Sequence, residues 1–132
     1  MKQKKLKIGY SDFKRVVEED GYFVDKTLFI KELIEDANQV LLIPRPRRFG
    51  KTMNLSMLHY FFSVDAADAR GLFSEFAISQ DQAFCQEHQN RYPVIQLSLK
   101  GIRAEDWEAC YMDIKNVIAN LFGQHEYLLD SK

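Results

Sequence analysis

The chain has 132 residues, 46% of them hydrophobic and 28% charged, with a formal net charge of −1. This is the length of one modest domain and the composition of a globular one, and it excludes a whole-protein field that would gather nucleic acid or anionic lipid. Any anion must therefore be held by a local patch. Cys85 and Cys110 lie far apart and outside any CxxC pattern. That speaks against a disulfide framework or a zinc site and suits a reducing cytosol. The basic start "MKQKKLKIGY" leads into no apolar h-region, and no apolar run approaches a membrane span. These features predict a cytoplasmic location without membrane contact.

In chain order, Ser11 is placed to cap a helix whose apolar face is Phe13, Val16 and Val17, ending near Asp20-Gly21. "YFVDKT" follows as a short extended piece. Asp25 or Thr27 then opens a second helix with Phe29, Ile30, Leu33 and Ile34 on one face. After the Asn38-Gln39 turn comes "VLLI", Val40 to Ile43. An apolar run without alternation predicts a strand buried on both faces of a parallel sheet, and Pro44 and Pro46 end it. From Thr52 the period is helical. Met53, Met57, Tyr60 and Phe61 cover one side, and Leu55, Leu58 and Phe62 the adjacent one. So wide an apolar surface predicts a helix buried in a layered domain.

Short helices are expected in "ADARGLFSEF" and "DQAFCQEHQNR", and a second strand in "YPVIQLSLKG". Trp107, Cys110, Tyr111, Ile114, Val117, Ile118, Leu121 and Phe122 then mark an amphipathic helix with a core-facing stripe. There is no internal repeat, low-complexity tract or linker. The order predicts a single α/β domain in which Val40–Ile43 and Val94–Leu99 are parallel strands of one sheet. Residues 1–38 form its helical lead-in. Residues 39–132 form the strand, helix, second strand and amphipathic helix.

The loop after the first predicted strand carries the chemistry. Gly50-Lys51-Thr52 is the heart of the pattern G-x-x-x-x-G-K-[ST], a phosphate-binding loop. Gly lets successive backbone N–H groups turn toward one phosphate. Lys51 reaches the β- and γ-phosphates in such a loop, and the Thr52 hydroxyl binds Mg²⁺. The helix that starts here aims its free N–H groups and positive dipole end at the same anion. Arg45, Arg47, Arg48 and Lys51 stand in the loop with no acid among them. The predicted phosphate-binding set is Arg47, Arg48, Phe49, Gly50, Lys51 and Thr52. Arg47 and Arg48 either add charge-assisted contacts to phosphate or are surface residues. The bland alternative for the whole stretch is a solvated basic turn that happens to contain Gly-Lys-Thr. The pattern also departs from the rule at its first position, where Arg45 and Pro46 replace the glycine turn and two prolines restrict φ instead.

Together, "IGYSDFKRVVEEDGYFVDKTLFIKELI", "VLLIPRPRRFGKTMNLSMLHYFF", "HQNRYPVIQLSLKGI" and "DWEACY" closely resemble the AAA-ATPase-like family. These are bacterial proteins with an arginine-rich phosphate loop, commonly followed by a PD-(D/E)XK nuclease-like domain. The resemblance implies a partial P-loop NTPase fold of the ASCE type, an αβα layering with a parallel sheet, and ATP as the nucleotide. In that family the acid-tipped strand that holds Mg²⁺ and activates water lies further downstream. Here "VIQLSLK" ends at Lys100, and "YLLDSK" makes a poor buried strand around Asp130. The expectation is an N-terminal piece of a longer protein that binds ATP and hydrolyses essentially none by itself. Its sheet edges would be open to self-association.

Other residues have competing readings. Tyr22 or Phe23 could stack on adenine, with Asp25 beside them; the bland reading is core plus helix capping. The functional expectation is an ATP-binding module that switches a downstream effector domain. The alternative is a degenerate phosphate loop kept as a scaffold or protein-interaction domain. Direct nucleic-acid binding through "RPRR" would cover few phosphates and collapse with salt.

Overall fold

Short aspartate caps set where helices begin. In a computed structural model, which describes residues 4, 6, 8–48 and 50–130, the Asp12 carboxylate accepts from the Arg15 amide and opens α1, Phe13–Glu18. Asp12 thus takes the capping place expected of Ser11. Asp81 accepts from the Phe84 amide and opens α4, Gln82–His88. Asp106 accepts from the Ala109 amide and opens α5, Trp107–Gln124. Each side-chain oxygen satisfies an amide that has no partner inside its helix. Between α1 and α4 lie α2, Leu28–Glu35, and α3, Lys51–Phe62. The 3-10 segments Val64–Phe73 and Ala77–Gln80 follow α3, and a 3-10 turn, Glu126–Leu128, follows α5.

The chain divides into two compact units, Met1–Val94 and Ile95–Lys132. The first has an aromatic core. Phe13, Ile30, Met57, Phe61, Phe73, Ile78 and Phe84 are buried together. Phe13 stacks on Phe73 at 5.0 Å between ring centroids, and Phe61 meets the edge of Phe73 at 5.2 Å. Phe61 also stacks on Phe84 at 6.1 Å. Such pairs contribute about 0.5–1.5 kcal/mol each beyond the area they bury. Two polar contacts tie α1 to α3. The Ser56 hydroxyl accepts from the Phe13 amide at 2.6 Å, and the Tyr60 hydroxyl donates to Asp12 at 3.0 Å. Burial, followed by that bond to the Asp12 carboxylate, pushes the Tyr60 phenol up to about 12. It therefore stays a donor across the ordinary pH range.

The expected parallel sheet is absent among the described residues. Among the described residues neither Val40–Ile43 nor Val94–Leu99 is a strand; Ser63 and Tyr92 form an isolated parallel bridge, and Gly21 is a further bridge residue. The α/β layering and the open sheet edges expected from the sequence are therefore corrected to a helical arrangement. A strand draws its hydrogen bonds from a neighbour, and a parallel pair also needs cover on both faces. Among the described residues neither apolar run has such a neighbour, and Val40 and Leu42 are 84% and 87% exposed.

Two smaller expectations change with it. Leu55, expected in the core, is 52% exposed, whereas Met57 and Phe61 on the other side of α3 are fully buried. In the second unit α5 buries none of its side chains, and Trp107, expected on a core stripe, is 72% exposed. Trp107 instead stacks on Tyr111, one turn along the same helix, at 5.8 Å.

Phe61→Ala should cost about 3–5 kcal/mol by leaving a cavity among three rings, whereas Leu55→Ala should cost less than about 1.5 kcal/mol because half of its surface is already wet. Urea unfolding of the two variants measures the difference. Equal costs would contradict the division of α3 into a core side and an open side.

Candidate functional site

The loop that carries the basic residues runs from Pro44 to the start of α3. It turns at Arg47 and Arg48, and Arg48 adopts a left-handed backbone with φ 66°. Outside glycine that conformation costs about 1–2 kcal/mol, and strain of this kind concentrates at functional loops. Gly50 is also left-handed, with φ 75°, and stands at the N-cap of α3. No neighbouring atom would meet a Cβ there, so the backbone angle is what calls for glycine. The helix begins at once, since the Asn54 amide donates to the Gly50 carbonyl at 2.9 Å. Gly50 has no side chain to offer the first amides of α3, so they remain directed at the loop's mouth.

Lys51 closes the loop on itself. Its ammonium donates to the Arg45 carbonyl at 2.8 Å. A neutral carbonyl is a weaker partner for an ammonium than an anion is, so this bond is one that a phosphate can displace. Arg47, Arg48, Gly50, Lys51 and Thr52 are all exposed in this one turn. Phe49, the remaining member of the expected phosphate set, lies outside the described residues.

Beside Lys51 a cleft of about 420 Å³ opens between α2 and α3. Its apolar lining is Leu28, Phe29, Ile43, Leu55 and Leu58. Its polar lining is Lys26, Glu32, Arg45, Lys51 and Asn54. Of the wall residues from α2, the sequence marked Phe29 only as part of an apolar helix face, and Leu28 and Glu32 were not singled out. Leu28 and Glu32 are one turn apart, as are Lys51 and Leu55 on α3. What the sequence could not supply is that these two helices line one cleft.

The "YFVDKT" tract is used structurally. The Phe23 ring packs edge-on against Phe13 at 5.2 Å and against Phe76 at 5.5 Å, while Tyr22 is exposed. One Asp25 oxygen accepts from the Thr27 amide at 2.9 Å and from its hydroxyl. The other accepts from the Ala77 amide at 2.8 Å. The fully buried Thr27 hydroxyl in turn accepts from the Ile78 amide at 3.2 Å. Burial alone would raise the Asp25 carboxyl, but bonds from the Thr27 hydroxyl and from the Ala77 and Thr27 amides outweigh it and hold the group below its ordinary value. A second tie runs from Lys31 on α2 to Asp81 at 2.7 Å. The bond from Lys31, and then that from the Phe84 amide, lowers the Asp81 carboxyl. The two aspartates thus fasten α2 to the 3-10 segment and α4 behind it.

The model of a family described as predicted AAA-ATPase matches residues 7–130. The chain belongs to this family. A relative from Azotobacter chroococcum mcd 1, an uncharacterized protein from the vnfD 5′ region, is 34% identical over 135 residues, covering 98% of this chain and 23% of the relative. The chain therefore spans about a quarter of that relative's length. No solved structure matches it. Among the described residues no helix is long and apolar enough to cross a membrane.

Asp25→Ala should cost about 1–3 kcal/mol at neutral pH, because it strands the buried Thr27 hydroxyl and two amides. The sign with pH follows from the lowered folded-state value. The Asp25 contribution is complete above the ordinary carboxylate range and is lost as pH falls through the folded value. The stability gap between wild type and variant, measured by urea unfolding, should therefore narrow as pH drops below about 4.

Proposed function

We propose that this chain is an ATP-binding module. In this reading the nucleotide phosphates lie over the first amides of α3, with Lys51 as their cationic partner and Thr52 as the Mg²⁺ ligand. The single observation that carries it is the left-handed Gly50 at the head of α3, with the Lys51 ammonium held on a loop carbonyl that an anion can replace. Membership of a predicted AAA-ATPase family supports nucleotide use in general terms. ATP and Mg²⁺ fit the donor set, because the loop from Arg45 to Thr52 has cations, backbone amides and a hydroxyl but no acid to repel phosphate. Arg47 and Arg48 stand free to add charge from the exposed turn.

Binding without turnover is the expected activity. Stabilising the transition state needs a carboxylate that orients water beside the metal, and the loop itself offers none. Because the chain matches about a quarter of a longer relative, the fuller role belongs to the longer protein. There we propose that nucleotide binding switches an effector domain further along the chain, of the nuclease-like kind that accompanies this family.

Calorimetry with MgATP should show binding to the wild type and at least tenfold weaker binding to Lys51→Ala, which loses a charge-assisted contact of about 1.5–3 kcal/mol. A phosphate-release assay should stay at background for both proteins. Equal affinities would instead favour a scaffold that no longer uses its phosphate loop.

A further inference from the structure

The cleft beside Lys51 has more apolar wall than phosphates can use. Leu28 and Phe29 come from α2, Leu55 and Leu58 from α3, and Ile43 from the segment before the loop. A flat ring gains from such a surface and a phosphate chain does not. The tract that precedes α2 is already engaged. Phe23 is packed against two rings, and both oxygens of Asp25 accept backbone or hydroxyl donors.

We propose that the α2–α3 cleft receives the nucleoside of the bound nucleotide. Its base lies against Leu28, Phe29 and Leu55, and Glu32 accepts a hydrogen bond from a ribose hydroxyl or a base amino group. This rests on the phosphate-loop reading above. Charge fixes the direction of the ligand. Lys51 and Arg45 on the lining attract phosphate oxygens, and the Glu32 carboxylate repels them and needs a donor. The phosphates therefore go to the loop and the nucleoside to the Glu32 side. A volume of about 420 Å³ suits a ligand of this size.

The test compares MgATP with magnesium tripolyphosphate, which has the phosphates and no nucleoside, by calorimetry on the 132-residue chain. Leu28 and Leu55 are each 52% exposed, so Leu28→Ser and Leu55→Ser leave the core intact. Each should weaken MgATP about tenfold and leave tripolyphosphate within about twofold. Glu32→Ala should weaken MgATP while leaving tripolyphosphate unchanged or tighter. Val40→Ser, at an exposed position off the cleft, should change neither. The wild-type comparison needs no variant, and there MgATP should bind more tightly than tripolyphosphate. If the two bind equally, or if the wall variants weaken both alike, the nucleoside subsite is wrong while the phosphate loop stands. If neither ligand binds the wild type, both readings fall together.

Discussion

The packing of Phe61 against Phe73, and of Phe73 against Phe13, is the constraint on which the first unit depends. Each ring belongs to a different element, so one cluster fixes α1 against α3 and the 3-10 segment that follows it. For α3 the effect is directional. Its C-terminal half is held by Met57 and Phe61, both fully buried, and Met53 packs against the same cluster, while Lys51 and Thr52 at its start are exposed. A helix is a stiff rod with a rise of about 1.5 Å per residue, so anchoring Phe61 positions Lys51 about 15 Å away. The core thus places the start of α3, and with it Lys51, while the loop before it is shaped by its own glycine and prolines.

The Asp25–Thr27 pair does comparable work at the other end of the unit. A buried hydroxyl and a carboxylate are costly unless their hydrogen bonds are complete. Here the carboxylate accepts from Thr27 twice and from Ala77, and the hydroxyl accepts from Ile78 while donating to Asp25. The result holds the start of α2 against the 3-10 segment that follows Phe76. Residues with the chemistry of a ligand box are in this way saturated by the protein's own backbone. From the same helix Leu28, Phe29 and Glu32 line the cleft, while Ile30 is buried in the core.

Local signals were legible and distant ones were not. A cap acts within one turn, so the start of α1 was placed to within one residue, at Ser11 instead of Asp12. Gly50-Lys51-Thr52 is contiguous, so the candidate loop and the helix after it could be read directly. Leu55 and Met57 look alike in a periodicity plot, but only the neighbours of α3 decide that the first is open and the second closed. The sheet expectation failed for the same reason. "VLLI" and "VIQLSL" have strand composition, but the hydrogen bonds that make a strand belong to its partner, and the sequence of the run does not contain that partner. Likewise the spacing of Phe29, Ile30, Leu33 and Ile34 announced a helix face without saying that Phe29 would line a cleft with α3.

The arrangement separates what holds α3 from what α3 presents. Phe61 and Met57 answer to packing density, where a lost methylene is felt by every neighbour. Lys51, Thr52 and Leu55 answer to solvent and to whatever enters the loop and cleft, and the fold places few demands on them. Gly50 lies between these regimes, because it serves the backbone and has no side chain to contribute to either. An amino acid with a Cβ at Gly50 would act through φ rather than through contact, since nothing stands within reach of that atom. The loop conformation and the core are therefore two separable determinants of this site, joined by the rigidity of a single 12-residue helix.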